Sequence, residues 1–111
     1  MDDWLKAIFA KQEEIDRRLA SDADALIQWK NFLSAPDAQS FGFRCTDDGI
    51  QLVVAYKDKP VFNVRVEDGA TVISEAQPGG RSHICSERDQ AIDRMASLAV
   101  ERMRYIARKT A

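Results

Sequence analysis

The first third of the chain carries one stripe of large apolar residues and no helix-breaking residue. Residues 3–34 contain neither proline nor glycine. At about 100° per residue, the large apolar side chains fall within about 80° of one another on a helical wheel. They are Trp4, Ile8, Ile15, Leu19, Leu26, Trp29 and Leu33. The phase persists through the polar residues 21–24, so the sequence predicts one continuous helix over residues 3–34, which Pro36 ends. Two helices broken near Ser21 are the alternative.

The middle third changes from the helical period to an alternation of two. Strands are predicted at residues 41–46, 50–57, 61–67 and 70–74. Turn-forming residues such as Asp and Gly separate them, and connections of about two to four residues join antiparallel neighbours. The sequence therefore predicts a four-stranded antiparallel meander. An extended segment at residues 82–85 leaves a short fifth strand open.

The last third returns to the helical period. Its apolar residues form a stripe about 100° wide: Ile92, Met95, Ala96, Ala99, Met103 and Ile106. A second helix is therefore expected over residues 87–108. The predicted fold class is α+β, in a single domain over residues 1–111. A long N-terminal helix precedes the meander, and the C-terminal helix packs on one face of the sheet.

The first helix is too long for the domain that it belongs to. About thirty helical residues span about 45 Å, whereas a compact chain of this length has a diameter of roughly 34 Å. The apolar stripe nevertheless begins in the first turn, so its first part needs a cover. We expect a homodimer whose interface includes Trp4, Ile8, Ile15 and Leu19. A monomer with the helix folded back as a hairpin is the alternative.

The residues that usually carry catalysis or hold metals are few. His83 is the only histidine, and Cys45 and Cys85 are the only cysteines. Cys85 lies two residues after His83, so both side chains share one face of an extended segment, which Cys45 can approach from an earlier strand. A Cys–His nucleophile needs a third, orienting group, and a structural zinc site needs four ligands. We therefore expect no enzyme activity, no metal and no cofactor.

Charge and composition exclude several further classes. The net charge is −2, with 45% hydrophobic residues, which disfavours both intrinsic disorder and bulk electrostatic binding to nucleic acid. The N-terminus is acidic where a secretory signal is basic, and no apolar run approaches the roughly 18–20 residues of a membrane span. A cytoplasmic protein without membrane association is expected.

These exclusions favour a non-enzymatic module that binds another protein, such as an inhibitor, an adaptor or a chaperone. Large aromatic side chains dominate many interfaces. The candidate anchors lie near the end of the first helix and just after it: Trp29, Phe32, Phe41 and Phe43. The identity of the partner is open.

The alternative is a dimeric protein that associates with nucleic acid. The densest basic segment lies near the C-terminus and includes Arg104, Arg108 and Lys109. Such a stripe on a helix can contact phosphates, and a dimer presents it twice. In topology alone, the predicted order of elements resembles that of the small nucleoid-associated YbaB proteins, without a shared sequence motif.

Overall fold

A single long helix, α1, runs without a break from Asp3 to Leu33. The computed structural model describes residues 2–110 of the chain. The Asp2 carboxylate caps the helix by accepting a hydrogen bond from the backbone N–H of Trp4 at 3.2 Å. The polar residues 21–24 remain helical, and the apolar residues before and after them lie on the same face of α1. The prediction of one continuous helix is confirmed, and the alternative of a break near Ser21 is wrong.

The sheet is an antiparallel meander in which neighbours in sequence are neighbours in space. Its order is β1-β2-β3-β4-β5. The strands are β1 Phe43–Asp47, β2 Leu52–Tyr56, β3 Lys59–Glu67, β4 Ala70–Glu75 and β5 Ser82–Cys85. A short helix, α2, covers Pro36–Phe41 before the sheet, and the last helix, α3, covers Arg88–Thr110. The predicted α+β class is confirmed, and the fifth strand is present.

The tight turns follow from the residues that occupy them. Lys57 and Asp58 both have positive φ, at 49° and 65°, and so do Asp68 and Gly69, at 49° and 80°. Two central residues of positive φ make the hairpin turn whose twist matches that of antiparallel strands. These turns fix the registers of the β2–β3 and β3–β4 pairs.

The β1–β2 connection is longer than the alternation of residues predicts. The Asp48 carboxylate accepts hydrogen bonds from the backbone N–H groups of Ile50 and Gln51, at 3.0 and 2.9 Å. These bonds stabilise a loop, so Ile50 lies in it with its side chain exposed, and β2 begins at Leu52 instead of residue 50. The same hydrogen bonds lower the pKa of Asp48.

The short helix α2, Pro36–Phe41, is a feature that the sequence reading missed. Pro36 occupies the first turn, where its missing N–H costs nothing. Gly42 ends the helix with φ of 114°. Phe41, predicted to begin the first strand, is therefore helical, and β1 begins at Phe43. The alternation of Phe41, Gly42 and Phe43 imitates a strand, and six residues are too few to reveal a helical period.

Both long helices lie on the same face of the sheet. The Val54–Phe62, Val64–Ile73 and Thr71–Cys85 register pairs belong to this face. The buried core combines the sheet with both helices: Trp29, Leu52, Val54, Tyr56, Val61, Phe62, Val64, Ile73, Cys85, Ala91, Met95, Leu98 and Ile106. The Cα radius of gyration is 17.5 Å and the longest dimension is 71 Å, against about 13 Å for the radius of a compact chain of this size.

Candidate interaction surfaces

Asp22 marks the point at which α1 leaves the rest of the molecule. Its two carboxylate oxygens accept hydrogen bonds from the backbone N–H groups of Asp68 and Gly69, each at 2.9 Å. These groups belong to the β3–β4 turn, which is the end of the sheet on that side. Residues 3–21 extend past this turn by about 28 Å at 1.5 Å per residue. We call residues 3–21 the arm, and the part of the chain from Asp22 onward the body.

The arm displays the first half of the apolar stripe to solvent. Trp4 is 69% exposed, Leu19 is 62% exposed and Ile15 is half exposed, while Ile8 is partly covered by its helical neighbours. Residue spacings of 11 relate Trp4 to Ile15 and Ile8 to Leu19, so the stripe runs almost parallel to the helix axis. All four residues predicted for a dimer interface therefore lie together on one face of the arm.

The second half of the same stripe is covered by the sheet. Leu26 and Leu33 pack against the core, and Trp29 is 5% exposed. The indole N–H of Trp29 donates to the Thr71 hydroxyl at 3.1 Å, and the Arg88 guanidinium lies 5.0 Å from the indole ring. Trp29, predicted as an anchor for a partner, is thus a core residue with its polar atom satisfied.

An apolar groove opens in the body between α3 and the end of α1. Its floor is Val54 of β2 and Phe62 of β3, and its volume is about 400 Å³. One wall comes from the end of α1, the first half of α2 and β1, and the other wall comes from α3. The lining residues are Phe32, Leu33, Ala35, Asp37, Ala38, Phe43, Val54, Phe62, Ile92, Met95, Ala96 and Ala99. Asp37 is the only charged side chain among them.

Two of the four predicted anchor residues line this groove, and a third stacks on one of them. Phe32 and Phe43 line it, and Phe32 also contacts Arg88, whose guanidinium lies 5.1 Å from the ring. Phe41 is 60% exposed and stacks on Phe43 with ring centroids 6.1 Å apart. Phe43 packs in turn against Tyr56, at 4.9 Å. The aromatic cluster is therefore continuous from the exposed Phe41 into the core.

The groove itself was not foreseen from the sequence. Its existence depends on the angle at which α1 and α3 diverge over the sheet, which no local pattern specifies. One sequence signal points toward it: the apolar stripe of α3 extends beyond its core-facing residues to Ala96 and Ala99, which line the groove. A helix packed on one side only needs a narrower stripe.

The basic residues predicted for the nucleic-acid alternative lie near the end of α3. Arg104 and Arg108 are exposed and four residues apart, which places them on the same side of the helix. Earlier in the same helix, Arg102 lies over the Tyr105 ring at 5.2 Å. The side chain of Lys109 lies outside the described residues.

The sheet order keeps Cys45 away from the other candidate catalytic residues. Cys45 is on β1 and His83 and Cys85 are on β5, which are opposite edges, about 19 Å apart at about 4.8 Å per strand. The expectation that Cys45 can approach the pair is therefore wrong. His83 Nε2 instead meets Glu75 Oε2 at 2.9 Å, and this hydrogen bond lowers the pKa of Glu75. Burial raises the pKa of the Cys45 thiol.

Comparison with protein-family models, with curated proteins and with solved structures finds no match. None of the helices within residues 2–110 is both long and apolar enough to span a membrane. In the same part of the chain, no three His, Cys, Asp or Glu side chains are grouped so that they could hold a metal ion. The arm and the groove are the features from which a function can be argued.

Proposed function

We propose that this protein is a small, non-enzymatic interaction module that forms a homodimer and binds another protein. The arm serves self-association and the groove binds the target. The observation that carries the proposal is the presence of two separate apolar surfaces on one chain, at the two ends of α1. A large apolar side chain left in water forgoes about 1.5–3 kcal/mol of burial, so each surface favours a partner.

The target proposed for the groove is an amphipathic helix. The groove is a gap in a layer of helices, floored by the sheet, and a helix is the element that such a layer accommodates. Helices in apolar grooves present anchors at positions i, i+3 or i+4, and i+7. Phe32 and Phe43 supply the aromatic wall for such anchors, and Asp37 favours a Lys or Arg beside them.

The environment of the reactive side chains supports the non-enzymatic part of the proposal. A thiol acts as a nucleophile only after it loses its proton, and burial of Cys45 opposes that loss. His83 is hydrogen-bonded to Glu75, and the width of the sheet separates His83 from Cys45. Cys45 and His83 are therefore not the adjacent nucleophile and base that covalent catalysis requires. Cys85, on the same strand as His83, is buried in the core.

The groove is tested by photo-crosslinking from a residue inside it. A photoreactive amino acid at Ala38 is expected to capture the target in extracts of the native cell. After purification of the captured protein, titration calorimetry measures its affinity for the wild-type protein and for two variants. Ala96→Glu places a charge at the groove, and Ala10→Glu places the same charge on the polar side of the arm.

We expect Ala96→Glu to weaken binding at least about tenfold, because a carboxylate is costly to desolvate against apolar side chains. Ala10→Glu is expected to leave the affinity unchanged. Equal affinities for all three proteins contradict the groove as the binding site. If repeated experiments yield no protein crosslinked at Ala38, the protein-binding function is contradicted.

The nucleic-acid alternative is favoured by one observation, the exposure of Arg104 and Arg108 on one side of α3. Contacts of this kind release counterions from the phosphates. Binding to random duplex DNA is then expected to fall steeply between about 50 and 200 mM salt, and Arg104→Glu with Arg108→Glu is expected to abolish it.

A further inference from the structure

The apolar residues of the arm are arranged symmetrically along its length. Trp4 and Leu19 are equally far from the midpoint between Lys11 and Gln12, and Ile8 and Ile15 are equally far from the same midpoint. When one helix lies antiparallel to an identical one with this midpoint shared, each apolar residue meets another apolar residue. The pattern is therefore self-complementary in the antiparallel orientation.

The position of the body opposes a parallel arrangement. Asp22 and Trp29 face the sheet, and they continue the stripe that includes Trp4. The body thus lies on the same side of α1 as the surface that a second arm would cover. A parallel second helix would run on into the space that β3 and β4 occupy. An antiparallel helix runs away from the body and meets no obstacle along the arm.

The β3–β4 turn also limits how far two antiparallel arms can overlap. The turn at Asp68 and Gly69 touches Asp22, at the end of the arm. When Trp4 lies opposite Leu19 of a second copy, the first turn of the arm reaches the second copy's body. One further turn of overlap would drive it into that β3–β4 turn. One turn less would leave Leu19 beyond the end of the second copy's arm and place Ile8 opposite Lys11.

The apolar stripe of the arm supplies most of the surface that a specific dimer needs. On the face that the pairing covers, Trp4 and Leu19 are each more than half exposed, and Ile15 is half exposed. At about 150–250 Å² for a large side chain, these residues expose roughly 350 Å² on each arm, so two arms bury roughly 700 Å² of apolar surface. The polar flanks of the two arms supply the rest of the about 1,000 Å² that a specific interface buries.

The charges of the arm do not oppose the pairing. Residues 3–21 contain four acidic and four basic side chains, so the arm has no net charge. Lys11, which lies beside the midpoint, is 3.6 Å from the carboxylate of Glu14, and Glu14 also pairs with Arg18 at 2.7 Å. The two copies of Lys11 therefore meet with nearby carboxylates that offset their repulsion.

We propose that two copies of the chain pair through their arms in antiparallel orientation. The two-fold axis passes between Lys11 and Gln12, Trp4 lies opposite Leu19 of the second copy, and Ile8 lies opposite Ile15 of the second copy. This inference rests on the homodimerisation proposed above and adds its geometry. It places the two bodies at opposite ends of a shared two-helix rod.

The pairing is tested by oxidation of single-cysteine additions to the full chain, with copper–phenanthroline as the oxidant. Ile8→Cys and Ile15→Cys are each prepared alone and are also mixed. Light scattering first measures whether each protein is a dimer. The wild-type protein is the matched control, because it reports any crosslink through Cys45 or Cys85.

We expect each variant alone to give few crosslinks, because identical positions are about 10 Å apart along the rod. The mixture is expected to give at least about tenfold more, in dimers that contain one copy of each variant by mass. Crosslinking of each variant alone as strongly as the mixture indicates parallel arms and overturns the inference, while the proposed homodimer stands. Light scattering that shows monomers for the wild type overturns both.

Discussion

The two halves of α1 have the same pattern and opposite surroundings. Leu26, Trp29 and Leu33 pack against the core, whereas Trp4, Ile15 and Leu19 continue the same stripe into solvent. Periodicity therefore specifies which face of the helix needs a cover and not what covers it. In the body the cover is the chain's own sheet. For the arm, we propose that it is a second copy of the chain.

The largest expected difference between the halves is between their tryptophans. Trp29→Ala removes a buried ring and its hydrogen bond to Thr71, so we expect a loss of about 3–5 kcal/mol in the free energy of unfolding. Trp4→Ala is expected to change the stability of the monomer by less than about 0.5 kcal/mol. On the proposed pairing it weakens the dimer at least about tenfold.

Urea unfolding at several protein concentrations measures both effects. The loss for Trp29→Ala is expected to be the same at every concentration, and the effect of Trp4→Ala is expected to appear only where the wild type is dimeric. A concentration-independent loss of several kcal/mol for Trp4→Ala would contradict the separation of arm and body.

A smaller effect is expected at the boundary between the halves. Asp22→Ala removes two charge-assisted hydrogen bonds to the β3–β4 turn, which predicts a loss of about 1–3 kcal/mol. Asp24→Ala is the matched control, because Asp24 is exposed on the same helix. Hydrogen exchange is expected to become faster at the amides of Asp68 and Gly69 in Asp22→Ala alone. Equal exchange in the two variants would show that the turn does not depend on Asp22.

The smallest expected effect is the pH dependence that Glu75, in the body, gives to the free energy of unfolding. The hydrogen bond from His83 lowers the pKa of Glu75 in the folded protein, so the folded state favours the carboxylate. The contribution of Glu75 to the free energy of unfolding is present above its ordinary pKa of 4.5 and is lost as the pH falls through the lowered pKa. For a partly exposed pair we expect less than about 1 kcal/mol.

Urea unfolding between about pH 3 and pH 6 checks this sign, with Glu75→Gln as the variant. Asp48 also has a lowered pKa and acts in the same direction, so the variant is expected to keep part of the wild-type slope. If the free energy of unfolding of Glu75→Gln depends on pH as steeply as that of the wild type, the role of Glu75 is contradicted. Because Glu75 lies in the body, the comparison also separates the response of the body from that of the arm.

The parts of the fold that could be predicted are those in which a hydrophobic pattern extends over many residues. Seven residues from Trp4 to Leu33 define α1, and the alternation in the middle third defines the meander. Helix α2 was not predicted, because it is short and because Phe41 precedes an alternation typical of a strand. The wide separation of Cys45 from His83 follows from the pairing of β5 with β4, at the edge opposite β1, and local pattern does not determine where the fifth strand pairs.

The candidate site was predictable only in part. Phe32 and Phe43 line the groove and Phe41 stacks on Phe43, but a sequence pattern cannot distinguish them from Trp29, since all four are large aromatic residues near or just after the end of α1. Their difference arises from where the sheet stops covering α1. The homodimer and the binding of another protein stay predictions.

The length of the arm sets a distance between binding sites. On the proposed pairing, the point at which each body begins, Asp22, is about 32 Å along the rod from the same point on the other copy. The rod has no hinge, since α1 is continuous. On this proposal, a target that repeats its binding helix at a matching interval engages both sites at once and gains avidity without a new contact, whereas one with a mismatched interval engages only one. The proposed dimer therefore selects targets by the distance between their binding helices.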